Sequence, residues 1–281
     1  VVYDATMPQS DGFFTTNGLS ALTQINGLSV TATASPNSVC AGDLVQLDAI
    51  VTGGSGSPGY LWSSVPAGFT STLKNPTDTP TQDITYIVNV TDGSASATSS
   101  VDVAVQPLPT ADAGINATIC EDDSHQLDGT VLNSSSVLWS SGGDGVFDNK
   151  YIEDPIYSPG QTDILSGSVS LTIEALPVNP CAVSAFDDMM LTIALNPVVG
   201  AGPDGSVCAG DSYTLSGNAT NFGAVIWASS GDGVFDDPTL LNATYYPGSL
   251  DTQNGSVELT LSTTGIDPCQ GSDTDEMVLT V

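Results

Sequence analysis

L-W-S-S-G-G-D-G-V-F-D at 138–148 is followed 88 residues later by I-W-A-S-S-G-D-G-V-F-D at 226–236. A third tryptophan stands in L-W-S-S at 61–64. Each follows a cysteine: Cys40 precedes Trp62 by 22 residues, while Cys120 and Cys208 precede Trp139 and Trp227 by 19 each. One unit is therefore written three times, and repetition at this period decides the architecture before any local reading.

Beyond the tryptophan segments, the second and third copies align almost without gaps. Y-S-P-G at 157–160 matches Y-Y-P-G at 245–248, and G-S-V at 167–169 matches G-S-V at 255–257. D-D-M-M-L-T-I at 187–193 matches D-E-M-V-L-T-V at 275–281. Thr, Ser, Val and Gly dominate, which favours strands and turns over helices. No window carries a sustained 3.6-residue apolar period, and no apolar run nears the ~20 residues that cross a bilayer. The first copy offers strand signals at 28–34, 44–51, 60–62 and 69–73, then a hairpin over 84–105 turning at Thr91-Asp92-Gly93. Strands of this spacing, with a tryptophan early in the third, predict an all-β chain of tandem immunoglobulin-like β-sandwiches. Trp62, Trp139 and Trp227 are expected as core plugs rather than as platforms for a sugar ring.

The expected boundaries are 28–106, 107–195 and 196–281. Residues 1–27 resemble no repeat and read as the end of a preceding domain or an extended segment. Linkers are short and carry prolines, Q-P-L-P at 106–109 and N-P at 196–197, so an extended semi-rigid rod is expected. The N-terminal V-V-Y-D-A-T-M has no basic segment, and the chain reads as a mature piece of something longer.

Charge narrows the function classes. There are 32 carboxylates against two basic residues and one histidine, a formal net charge of −30. Such a surface repels nucleic acid and anionic membrane faces, so neither a nucleic-acid partner nor membrane insertion is expected. No G-x-S-x-G, H-E-x-x-H or phosphate-binding glycine loop is present, which argues against an enzyme. His125 aligns with Tyr213 of the next copy and reads as a strand position rather than a base. Six N-x-S/T triplets, from Asn89 to Asn254, leave glycosylation open.

Cysteine spacing invites a further expectation. Cys120 to Cys181 and Cys208 to Cys269 are both 61 residues. Two equal spacings in frame with the repeat predict one disulfide inside each copy, Cys120–Cys181 and Cys208–Cys269, and hence an oxidising compartment. The first copy makes its hairpin without a second cysteine, so Cys40 is expected as a free thiol, with a cross-chain disulfide as the alternative. A zinc site is disfavoured by the lone histidine and the absence of C-x-x-C.

The pattern C-A-G-D…G-G-S-G…Y-L-W-S-S…P-A-G-F-T-S-T…T-Y-I-V-N-V-T-D-G resembles the PKD-like repeats of very large Bacteroidota surface proteins. The pattern A-D-A-G…I-C…L-W-S-S-G-G-D-G-V-F-D…Y-S-P-G…P-C…D-D-M-M-L-T-I resembles a sister repeat of the same proteins. The resemblance covers residues 29–281. It implies the stalk or filament of an extracellular cell-surface adhesin, exported by type IX secretion and serving attachment or gliding motility. Its implied partners are neighbouring repeats, surface polysaccharide or other cells. The alternative is a carbohydrate-binding accessory module of a secreted enzyme; a hydrolase with paired carboxylates is a third class.

One cofactor expectation remains. Asp144 with Asp148, and Asp232 with Asp236, flank glycine turns directly after the tryptophan strand. Oxygen-rich loops suit Ca²⁺, which takes six to eight ligands; the competing reading is an ordinary tight turn. Glu121-Asp122-Asp123 and Asp112 are further calcium candidates.

Overall fold

Alternation of apolar and polar residues sets the first sheets. In the strand Val45–Thr52, Val45, Leu47 and Ala49 are buried while Gln46 and Ile50 face out, the period of two that a half-buried strand imposes. The computed structural model describes residues 27–281, so the expectation for residues 1–27 lies, Gly27 apart, outside the described residues. The chain divides into two compact units, one ending at Val105 and one spanning Gln106–Val281.

The first unit is a sandwich of two sheets. One orders Ser29–Ser35, Val45–Thr52 and Thr77–Asp78; the other orders Ser38–Cys40, Ala95–Gln106, Ile84–Asp92, Gly59–Val65 and Thr70–Ser71. Trp62 and Tyr86 are fully buried between them. The Trp62 indole N–H donates to Leu73 O at 3.0 Å, and the Tyr86 hydroxyl donates to Asp78 at 2.7 Å. The hairpin turn falls at Gly93-Ser94, one step later than the sequence suggested, because Asp92 pairs with Ala95 and belongs to the strand. Its carboxylate is buried, bonded to Ser55 and to the Gly56 N–H, and ties down the glycine-rich loop at 53–59.

The second unit holds two sandwiches built alike. Its first main sheet orders Ala117–Cys120, Ala185–Ala194, Ser168–Pro177 and Ser134–Ser141. Its second orders Gly205–Ser206, Cys269–Thr280, Ser256–Ile266 and Phe222–Ser229. In each, a small three-stranded sheet covers the other face: His125–Gln126, Ile156–Ser158 and Val146–Phe147, then Tyr213–Thr214, Thr244–Tyr246 and Val234–Phe235. One helical turn and a half follows, α1 (Gln161–Ser166) and α2 (Ser249–Asn254). Trp139 and Trp227 are buried in the two cores beside Phe147 and Phe235, and their indole N–H groups donate to Glu153 O and Leu240 O, both at 3.1 Å. All three tryptophans are therefore core plugs with a satisfied polar atom, and none offers a ring face to a ligand.

Topology overturns the cysteine pairing. Cys120 lies opposite Ala194, at the end of the last strand of its sandwich. Cys181 lies beyond the other end of that strand, before Ala185. The ten-residue strand Ala185–Ala194 spans about 30 Å at ~3.3 Å per residue, whereas a disulfide needs Cα atoms within about 7 Å. The same holds for Cys208 and Cys269: Val207 N bonds Thr280 O, and Cys269 opens the twelve-residue strand that Thr280 closes. Neither Cys120–Cys181 nor Cys208–Cys269 can form. Instead Cys120 is bonded to Cys269, with Cα atoms 5.0 Å apart and 149 residues between them in sequence. Cys40 is not a free thiol either; both it and Cys181 are disulfide-bonded. The free cysteine is Cys208, which is exposed.

Candidate functional site at the domain junction

The bond Cys120–Cys269 sits where one sandwich of the second unit hands over to the next. The strands Ser256–Ile266 and Cys269–Thr280 form a long hairpin whose turn is Asp267-Pro268, with Ile266 paired to Cys269. That tip reaches back to the preceding sandwich: Cys269 Sγ lies 3.3 Å from Ala194 O. Around it the linker is clamped. Asn196 donates its backbone N–H to Glu121 Oε1 at 2.9 Å and its amide to Asp122 Oδ2 at 2.6 Å. Asn221, in the left-handed region at φ 54°, turns its chain and donates to Asn196 O at 3.2 Å. Asn133, at φ 55°, does the same for Leu108 O at 3.1 Å. Asparagine tolerates this conformation better than branched residues do, and its amide then reaches the linker. Glu121 and Asp122, weighed as calcium ligands, are thus acceptors for the linker asparagine.

The G-D-G-V-F-D loops are a second constellation, and it serves the fold. The Asp163 carboxylate is buried, and it accepts from Tyr157 Oη at 2.6 Å, Gly145 N at 3.0 Å and Gly160 N at 3.1 Å through Oδ2, and from Asp144 N at 3.2 Å through Oδ1. Ser141 Oγ lies 2.7 Å from the same Tyr157 hydroxyl. Asp144 in turn accepts from Thr162 N at 3.0 Å and Asp163 N at 3.2 Å, capping α1 from the loop. Gly160 stands at the helix N-cap and has no side chain to offer; a Cβ there would collide with the Asp144 carboxylate. The cap is therefore supplied by Asp144 across the turn, while Asp163 reaches back. Asp251, Tyr245, Ser229 and Asp232 repeat this arrangement in the next sandwich, with Tyr245 Oη donating to Asp251 Oδ2 at 2.7 Å and Leu250 N to Asp232 Oδ1 at 3.0 Å.

Charges respond to these contacts. Burial, and then the Asp163 carboxylate, push the Tyr157 hydroxyl up to about 12. Burial likewise takes Tyr245 to about 12, with Asp251 adding to it against the opposing Ser229 contact. The Thr162 N–H holds Asp144 below the usual carboxylate value, and the Thr244 N–H does so for Asp236. For Asp232 burial pulls upward, but Leu250 N–H, Ser249 and Asp251 N–H outweigh it and the value falls. Partial burial lowers His125, which pairs with Tyr157 in the small sheet as Tyr213 pairs with Tyr245.

The two carboxylates of each pair serve different turns. Asp144 faces the start of α1, whereas Asp148 accepts from Asn149 N at 2.6 Å and Ile156 N at 2.8 Å across a different turn. Asp236 does the same with Asp237 N and Thr244 N, both at 2.7 Å. In both loops the backbone N–H groups meet Oδ1 of the later aspartate. Among the described residues no group of three or more His, Cys, Asp or Glu side chains is placed to hold a metal ion. Asp163 and Asp251, the buried centres of the network, were missed by a search for paired carboxylates around glycine. The signal that finds them is their shared place three residues after P-G at 159–160 and 247–248.

Fold and junction together define a tandem β-sandwich repeat protein. No family model and no curated protein matches the chain. Among solved structures it is similar to the titin I-band fragment I67–I69, at 15% identity over 90% of this chain and 96% of that one, with a TM-score of 0.48. It is also similar to human CDH23 EC21–23, at 12% identity over 89% and 97%, with a TM-score of 0.46. A structure from a 1.5-MDa bacterial ice-binding adhesin matches at 11% identity over 90% and 96%, with a TM-score of 0.40. Likenesses this distant say nothing of function. Among the described residues no helix is long and apolar enough to cross a membrane.

Proposed function

We propose that the chain is a run of structural repeats from a large extracellular surface protein, a stalk whose junctions carry tension and hold a binding element away from the cell. The observation that supports this reading is the bond Cys120–Cys269, which joins two sandwiches rather than stapling one. Tension applied between Gln106 and Val281 passes from residue 106 to Cys120, across the disulfide, and from Cys269 to residue 281. The intervening chain is bypassed, so both sandwiches can lose their hydrogen bonds without the molecule lengthening much. A binding module or an enzyme has no need of such a path.

Two further features agree. Disulfides persist in oxidising compartments, and four of the five cysteines are bonded. A net charge of −30 keeps neighbouring stalks apart. The resemblance of residues 29–281 to the repeats of Bacteroidota adhesins supports a bacterial surface, type IX export and a part in attachment or gliding.

The mechanical claim is tested by pulling single molecules between handles at Gln106 and Val281. Cys269→Ser should add roughly 500 Å of contour, at ~3.3–3.6 Å per released residue. Equal extension of the wild type and the variant would end the reading. Antibody that labels the producing cells only after permeabilisation would end the surface assignment.

A further inference from the structure

The free Cys208 occupies the same structural place as Cys120. Cys120 ends the short strand that runs parallel to the last strand of its sandwich, facing Ala194, and Cys208 comes two residues after the corresponding strand Gly205–Ser206, next to Val207, whose N–H bonds Thr280 O. Both are followed by the same tight turn, with Asp123 N bonding Cys120 O and Asp211 N bonding Cys208 O, each at 3.0 Å. At Cys120 this place receives the hairpin cysteine of the following sandwich. Independently, S-V-C-A-G-D at 206–211 is letter for letter the segment at 38–43, and there Cys40 is disulfide-bonded. Two of three equivalent cysteines are thus bonded, while the third is a thiol, exposed at the pole of its sandwich where its last strand ends.

We propose that Cys208 is the docking point for the hairpin-tip cysteine of another domain of this build, forming the next junction of the same kind. Cys181 and Cys269 are both already bonded, so the incoming cysteine belongs to a further domain, on the same polypeptide or on a neighbouring one. Its recognisable feature is a cysteine directly after a proline at a hairpin turn, as in Asn179-Pro180-Cys181 and Asp267-Pro268-Cys269. Bond formation joins two thiols as S–S. The two protons and two electrons released pass to the disulfide of a thiol–disulfide oxidoreductase, which leaves as a dithiol. The proposal rests on the stapled junction and not on the adhesive role.

The test counts thiols. The 281-residue chain, made in an oxidising compartment, should titrate with one accessible thiol, at Cys208. A chain extended after Val281 by a second copy of residues 194–281 should still titrate with one, and non-reducing peptide mapping should join Cys208 to the hairpin cysteine of the added copy. Three titrating thiols in an extended chain with native circular dichroism would overturn the proposal. Should the added copy fail to fold, the protein isolated from its producing cells under N-ethylmaleimide decides. A Pro-Cys hairpin peptide joined to Cys208 supports the proposal, and its sequence separates same-chain from neighbouring-chain pairing. An alkylated Cys208, one joined to a second Cys208, or one carrying a small thiol overturns it.

Discussion

Asp163 shows how one carboxylate can organise a loop. It is buried, and every oxygen lone pair used is met by a hydroxyl or an N–H. Asp163→Ala would leave the backbone N–H groups of Asp144, Gly145 and Gly160 without this acceptor and Tyr157 Oη with Ser141 alone, and buried donors to a charged acceptor are worth ~1.5–3 kcal/mol each before relaxation. Calorimetry should show a loss of about 3 kcal/mol; a melting temperature indistinguishable from wild type would refute the role. Titration gives a second check. Tyr157 and Tyr245 have folded values of about 12 against an ordinary 10.0. The stability they contribute is therefore intact below pH ~10 and is lost between ~10 and ~12. Absorbance at a tyrosinate wavelength should show these two hydroxyls, together with that of Tyr86, raised further by burial and by Asp78, ionising only as the fold melts. The aspartates run the other way. Asp144, Asp232 and Asp236 are lowered from 3.8, so what they add is present above that value and disappears as pH falls through their lowered values. Thermal stability should drop most steeply below about pH 4, and the paired variants Asp144→Asn and Asp232→Asn should flatten that slope.

Among the elements, the six-residue helices depend most on context. A helix this short does not persist alone, because nucleation fixes several residues for few hydrogen bonds. α1 and α2 exist because Asp144 and Asp232 cap them from the preceding loop and Asp163 and Asp251 anchor them from within. Gly160→Ala would drive Asp144 out of its cap. The expected cost is about 2 kcal/mol, within the range for lost caps and steric conflict, read as a lower urea midpoint with unchanged slope. The strands were far more legible. Apolar alternation locates them, and the 88-residue offset carries nearly every boundary from one sandwich to the next, from Thr110 and Val198 to Ser168 and Ser256. The short helices were not, since six residues give no readable 3.6-residue period.

In the larger assembly of elements, the junction inside the second unit is held by one covalent bond and a ring of asparagine contacts. Breaking the bond with Cys120→Ser and Cys269→Ser together should loosen the linker more than the cores. Amide exchange at Asn196 and its neighbours should quicken about tenfold or more, while core amides such as Leu171 and Leu259 keep their protection, because local opening is set by local contacts. Equal acceleration in linker and core would mean that the bond serves the stability of each sandwich instead.

Three copies of one strand pattern, tryptophans in the core and a surface of carboxylates were all dictated by the order of amino acids, since period, burial and charge are properties of neighbours along the chain. The same reasoning misassigned every cysteine. A 61-residue spacing recurs in any 88-residue repeat whatever its cysteines bond to, so it holds no information on pairing. Only the folded sandwich sets Cys120 and Cys181 at opposite ends of a ten-residue strand and brings Cys269 of the next copy to Cys120. Distance in space decides a disulfide, and the length of the intervening chain does not.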